Sequence, residues 1–133
     1  MGRSWYEDGK FFKKKNTFLD FISATEHLVK NKYIAKDNIA AEGASAGGML
    51  MGAITNLRPD LYKIICAHVP FVDVINTMFD TSLPLTMTEY NEWGNPNIKK
   101  FFTLKISPVK NSSQAISQVP PQNFVQVRSR KDF

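Results

Sequence analysis

Between Thr17 and Lys32 the positions Phe18, Phe21, Ile22, Thr25, Leu28 and Val29 recur at intervals of three and four, which gathers them on one face of a helix. Thr17-x-x-Asp20 opens this stretch like a capping box with Asp in place of Glu. The pattern predicts a helix over Thr17–Lys32 whose striped face enters the core, with His27 beside the stripe as a partly exposed helix residue. A short β-like segment follows over Asn38–Glu42. Small residues then open a second helix, Ala46–Asn56, with an apolar body (Met49, Leu50, Met51, Ile54) that Arg58-Pro59-Asp60 stops. Ile64–Val69 is a continuous apolar run of strand length, as expected of a strand buried on both faces. Beyond Pro70, Val72–Phe79 reads as a short helix and Leu83-Pro84-Leu85 as a loop. Thr88–Trp93 is an acidic, aromatic segment that ends in Gly94-Asn95-Pro96, and residues 1–16 read as an irregular polar opening.

Helix, strand, helix, strand is the signature of an α/β fold. It predicts that Asn38–Glu42 and Ile64–Val69 are adjacent parallel strands, with Thr17–Lys32 and Ala46–Asn56 packed on the sheet. From Asn111 the chain becomes rich in Ser, Gln and Pro and loses periodicity. That shift divides a folded part, residues 1–110, from a divergent tail, residues 111–133, expected to be disordered.

With 133 residues, 43% of them hydrophobic, the chain can bury a core. Its net charge of +5, from 17 basic and 12 acidic residues, is concentrated in Lys13-Lys14-Lys15 and Arg128-Ser129-Arg130-Lys131. Neither cluster is interleaved with groove-reading or stacking residues, so both read as solvated charge, and no nucleic-acid partner is expected. The single cysteine, Cys66, allows no disulfide framework and suits a reducing compartment, with the cytoplasm as the default. No signal peptide is expected at Met1, because charge follows where an apolar region would be needed, and no apolar run reaches membrane-spanning length. No membrane partner, metal or cofactor is expected.

Chemistry concentrates at Gly43-Ala44-Ser45-Ala46-Gly47, the joint between the first strand and the second helix. Gly-x-Ser-x-Gly at such a joint fits a nucleophile elbow, a turn tight enough to need nearly side-chain-free residues two before and two after the serine. It would lift Ser45 Oγ over the sheet edge and set the Ala46 N–H at a helix start, where an oxyanion is held. A glycine-rich strand-to-helix turn without chemistry is the other reading of the same residues.

Further stretches carry a resemblance. Trp5-Tyr6-Glu7-Asp8-Gly9-Lys10, Lys14-Lys15-Asn16-Thr17-Phe18-x-Asp20-Phe21, Glu42 to Ala53, Asn56-Leu57-Arg58-Pro59-Asp60-Leu61, Val69-Pro70-Phe71-Val72-Asp73-Val74, Leu83-Pro84-Leu85-Thr86 and Glu89-Tyr90-x-Glu92-Trp93-Gly94-Asn95-Pro96 together resemble the catalytic domain of the prolyl oligopeptidase family of serine peptidases. The likeness is greatest to the oligopeptidase B branch and covers roughly residues 1–110. It implies part of an α/β-hydrolase domain, with a mostly parallel sheet, from an endopeptidase that cuts short peptides after Arg or Lys. In that resemblance Ser45 matches the nucleophile, and Glu89 matches a carboxylate that pairs with the basic P1 side chain. Where the family often has a second acid, this chain has Asn91.

A serine nucleophile needs a base and an acid that orients it, in the order Ser, Asp or Glu, His for this fold. After Ser45 the only histidine is His68, inside the apolar run, and only Asp60 precedes it in the required order. A histidine within the neighbouring strand does not suit a loop-borne base, His27 lies before the nucleophile, and Asp132 has no matching context. The triad Asp and His are therefore expected to be absent, and the chain reads as the middle of a hydrolase domain. Two functional readings stand side by side: a serine endopeptidase segment acting on short basic peptides, and an inactive fragment or interaction module.

Overall fold

Parallel strands joined through one small-residue helix form the frame. In the computed structural model, which describes residues 2–103 and 124–127, β1 (Ala40–Ala44) lies parallel to β2 (Ile64–His68), with Ala40 opposite Ile64 and Ala44 opposite His68. Helix α3 (Ala46–Leu57) connects them. A third strand, β3 (Phe124–Val127), pairs parallel with β2 and completes the order β1-β2-β3. The α/β class and the adjacent parallel strands are as the periodicity predicted. β1 starts two residues later than expected, because Lys36–Asn38 close a 3-10 turn before it. The expected disordered tail, residues 111–133, lies outside the described residues apart from β3.

The opening is not irregular as expected. Residues Arg3–Asp8 form α1, and a 3-10 turn follows over Phe11–Lys13. This helix buries no residue, so no apolar stripe announced it. It is supported by an Arg3–Glu7 pair at 2.8 Å, a Glu7–Lys10 pair at 2.6 Å and two cations over the Tyr6 ring. Helix α2 (Lys15–Lys30) also starts earlier than predicted. Thr17 is therefore inside the helix and not its cap, and its hydroxyl donates to the Gly9 carbonyl at 3.2 Å. The preceding 3-10 turn runs straight into the helix, which removes the need for a side-chain cap. Phe18, Ile22 and Thr25 are buried as expected, whereas Leu28 is 41% exposed.

The buried face of the sheet, Ala41, Ile65 and Ala67, packs on Ile22 of α2 and on Met51 and Ile54 of α3. On the other face Ala40, Glu42 and Ala44 are exposed and Cys66 and His68 only half-buried. Among the described residues, the apolar run of β2 is thus covered on one side, not on both as expected. Helix α3 also faces a second cluster, in which Met49 and Ala53 meet Phe18 of α2, Val74 and Met78 of α4 (Val74–Phe79) and Trp93 of α5 (Thr86–Trp93). A short α6 (Lys99–Thr103) follows. No helix among the described residues is long and apolar enough to cross a membrane.

The two glycines of the Gly-x-Ser-x-Gly joint do different things. A Cβ on Gly43 would lie 2.4 Å from the Gly47 carbonyl oxygen, whereas one on Gly47 would meet nothing within 4 Å. Gly48 carries a constraint of its own, since a Cβ there would reach Pro70 Cα at 2.7 Å. Gly43→Ala is expected to destabilise the chain by about 2–3 kcal/mol through backbone overpacking. Gly47→Ala should stay within about 1 kcal/mol of wild type. Urea unfolding of both variants checks this, and equal losses would contradict the steric account.

Arg58, just past α3, ties the loop to α2. Its Nε donates to Asp60 Oδ1 at 2.8 Å and its Nη2 to Oδ2 at 2.9 Å, while Nη1 bonds Glu26. The guanidinium hydrogen bonds lower the Asp60 carboxyl to about 2. Its folded value lies below the unfolded one. The pair therefore supports the fold fully above about pH 4 and loses that support as pH falls toward 2. Asp60 is exposed, so the contribution is small. By NMR, the Asp60 carboxyl carbon should titrate near 2 in wild type and return to about 4 in Arg58→Met. An unshifted midpoint in wild type would rule the pair out in solution.

Candidate functional site

Ser45 occupies the joint between β1 and α3 with φ 53° and ψ −117°, a conformation that costs a non-glycine residue about 1–3 kcal/mol. Such strain persists only where the surroundings over-determine the backbone. Here the Ser45 N–H donates to the His68 carbonyl at 3.0 Å, and the Ser45 carbonyl accepts from Met49 N–H at 3.1 Å and from Phe71 N–H at 3.0 Å. Val69, between those two partners, also has positive φ, at 37°. The turn after β2 is therefore bent to receive the turn after β1. The Ser45 side chain is exposed and makes no capping hydrogen bond to the helix that follows.

The first N–H groups of α3, those of Ala46, Gly47 and Gly48, precede the first α-helical hydrogen bond, from Met49 N–H to the Ser45 carbonyl. A hydroxyl beside an N–H at the positive end of a helix is an arrangement that can attack a carbonyl and receive the resulting oxyanion.

The residues weighed as base and acid lie elsewhere. His68 ends β2, and its ring Nε2 is 2.6 Å from Glu42 Oε1. The register explains this pairing: Ala44 faces His68 and Glu42 faces Cys66, so Glu42 and His68 are diagonal neighbours on the open face of the sheet. What His68 gives Ser45 is its backbone carbonyl. Asp60 precedes β2 and is held by Arg58, which puts it at the opposite end of the strands from Ser45. His27 is exposed on α2, and Asp132 lies outside the described residues.

Glu89 sits on α5, half-buried, with Oε2 accepting from the Trp93 indole Nε1–H at 2.8 Å. Asn91 is exposed. Trp93 is 6% exposed and packs on Phe71 at a ring-centroid distance of 5.7 Å. Lys14, entering α2, lies 4.3 Å above the indole and is paired with Glu92. The sequence reading missed the His68 carbonyl and the Phe71 N–H as partners of Ser45, and Trp93 as the partner of Glu89. The i, i+4 spacing of Glu89 and Trp93 was a usable signal, had Thr86–Trp93 been read as helix.

The sequence profile of the prolyl oligopeptidase family matches residues 1–127. The chain is 56% identical over 113 residues to dipeptidyl aminopeptidase BI of Pseudoxanthomonas mexicana, covering 84% of this chain and 16% of that protein. It is 50% identical over 113 residues, with the same coverage, to Protease 2 of Moraxella lacunata. Its fold matches oligopeptidase B from Leishmania major with a TM-score of 0.82 and 37% identity, over 98% of this chain and 22% of that one. Oligopeptidase B from Trypanosoma brucei, solved in a closed form with covalently bound antipain, matches with a TM-score of 0.82 and 36% identity, over 97% and 23% of the two chains. This chain thus spans about a sixth of the length of those two sequence relatives. On the profile match and these identities, the chain belongs to the prolyl oligopeptidase family.

Proposed function

We propose that Ser45 is the nucleophile of a serine endopeptidase site to which this chain contributes the elbow, with the Ala46 N–H as an oxyanion donor. The observation that carries this reading is the exposed, strained serine whose backbone is pinned on both sides. A plain strand-to-helix turn has no use for that strain at a non-glycine residue. Gly43 serves as the structural glycine of the elbow, because a Cβ there would strike the Gly47 carbonyl, whereas Gly47 only borders the turn. The substrates are short peptides cut on the carboxyl side of Arg or Lys, and Glu89 is the anionic partner of the P1 side chain. A half-buried carboxylate suits a guanidinium, which it can meet with two charge-assisted hydrogen bonds. A lone free thiol at Cys66 suits a cytoplasmic setting.

In this reading Ser45 Oγ attacks the scissile carbonyl carbon, its proton passes to a base, and the carbonyl oxygen becomes the oxyanion facing the Ala46 N–H. The base comes from outside this chain. Its two histidines are His27, exposed on α2, and His68, whose ring is engaged with Glu42. That engagement favours the second reading for the isolated polypeptide: by itself it is catalytically silent.

A serine-directed fluorophosphonate probe is therefore expected to label the isolated chain hardly above Ser45→Ala, because an unassisted hydroxyl is a poor nucleophile near neutral pH. Strong labelling that is lost in His68→Ala would identify His68 as the base and overturn the reading.

In a full-length family peptidase carrying this segment, Glu89→Gln should lower kcat/KM for Arg substrates by roughly 2–3 kcal/mol in ΔΔG‡. Neutral P1 substrates should change little, and Asn91→Glu should strengthen Arg binding. Equal losses on both substrate types would make Glu89 a support of its helix and not a reader of substrate.

A further inference from the structure

We infer that Trp93 is the positioning residue for basic-substrate recognition, holding the Glu89 carboxylate in one orientation and linking it mechanically to the Ser45 elbow. The inference rests on the proposed role of Glu89 and names what makes that role selective. A free glutamate side chain samples many rotamers, and fixing it at the moment of binding lowers affinity. Here one carboxylate oxygen, Oε2, already accepts from the Trp93 indole at 2.8 Å. A carboxylate has about four acceptor positions, so a single indole bond leaves room for a forked guanidinium.

The indole is itself immobilised from several directions. Lys14 Nζ lies 4.3 Å over its ring and is paired with Glu92, which holds the ammonium in place. Phe71 packs against the indole at an interplanar angle of 60°. The same cluster contains Met49, from the first turn of α3. The backbone N–H of Phe71 is one of the groups that fix the Ser45 carbonyl. A contiguous set of contacts therefore runs from Glu89 through Trp93 and Phe71 to the backbone of the candidate nucleophile. Through these contacts the rigid indole holds the Glu89 carboxylate in a fixed relation to the Ser45 turn.

The chain has two tryptophans, Trp5 and Trp93, so its indole Nε1–H resonances can be assigned with Trp5→Phe alone. Titration of the isotopically labelled 133-residue chain with N-acetyl-arginine amide should move the Trp93 indole resonance saturably and leave that of Trp5 in place. The neutral isostere N-acetyl-citrulline amide should move neither. Glu89→Gln should abolish the arginine effect, and Trp93→Phe, which keeps a ring in the core, should weaken arginine-amide binding about tenfold, the scale of one lost hydrogen bond to a charged group.

Arginine binding that vanishes in Glu89→Gln but leaves the Trp93 indole unmoved and is unchanged in Trp93→Phe would overturn the inference while the Glu89 reading survives. No saturable arginine binding to wild type, or full binding to Glu89→Gln, would remove the Glu89 reading and this inference with it. If Trp93→Phe does not fold, the wild-type indole shift decides alone: movement with the arginine amide supports the inference, and its absence during saturable binding overturns it.

Discussion

The hydrogen bonds that grip the backbone of Ser45 are the constraint on which the rest depends. A non-glycine residue at φ 53° cannot hold that geometry unaided. The His68 carbonyl and the Phe71 N–H supply the grip from the turn after β2. For them to reach, β1 and β2 must be parallel and in a register that sets Ala44 beside His68. The chain must then turn sharply through Val69, and Gly48 must lack a side chain so that Pro70 can lie against α3. The elbow is therefore a property of two strand ends and not of one pentapeptide.

Around that grip the packing divides in two. One cluster fastens α3 to the sheet and to α2, and the other fastens it to α4 and α5. Helix α3 has small residues at its start and apolar residues on both flanks, so it can lie between them. The second cluster is the one with functional consequence. It contains Trp93 and, packed against it, Phe71, whose backbone N–H grips Ser45, so the region that carries Glu89 is built against a residue that fixes the Ser45 turn. Stability and site geometry share their contacts, and a volume change in that cluster would be felt in both.

Charge has a more limited part. The basic residues near the start are paired in place: Arg3 and Lys10 with Glu7, Lys13 with Asp8, Lys14 with Glu92. Most of these pairs are exposed and worth little individually. Lys10 and Lys14 are the exceptions, because both side chains are largely covered and both ammonium groups sit over aromatic rings. Thus the lysine run that reads as plain solvated charge contains one residue with a definite structural position.

By itself the sequence determined the alternation of helix and strand, the parallel α/β class, the stripe at Phe18, Ile22 and Thr25, and the small-residue joint at Ser45. Each of these is encoded locally, through periodicity or through the size of a few neighbouring side chains. Tertiary structure decided what lies beyond a local window. α1 was hidden because surface ion pairs and cation–π contacts support it in the absence of an apolar stripe. Leu28 and the outer side of β2 were misjudged because an apolar residue declares a preference for burial and not whether anything covers it. The partners of Ser45 and the indole beneath Glu89 were invisible for a similar reason. Hydrogen bonds from a neighbouring strand and rings that meet across a core depend on register and packing, which the chain acquires only when its elements come together.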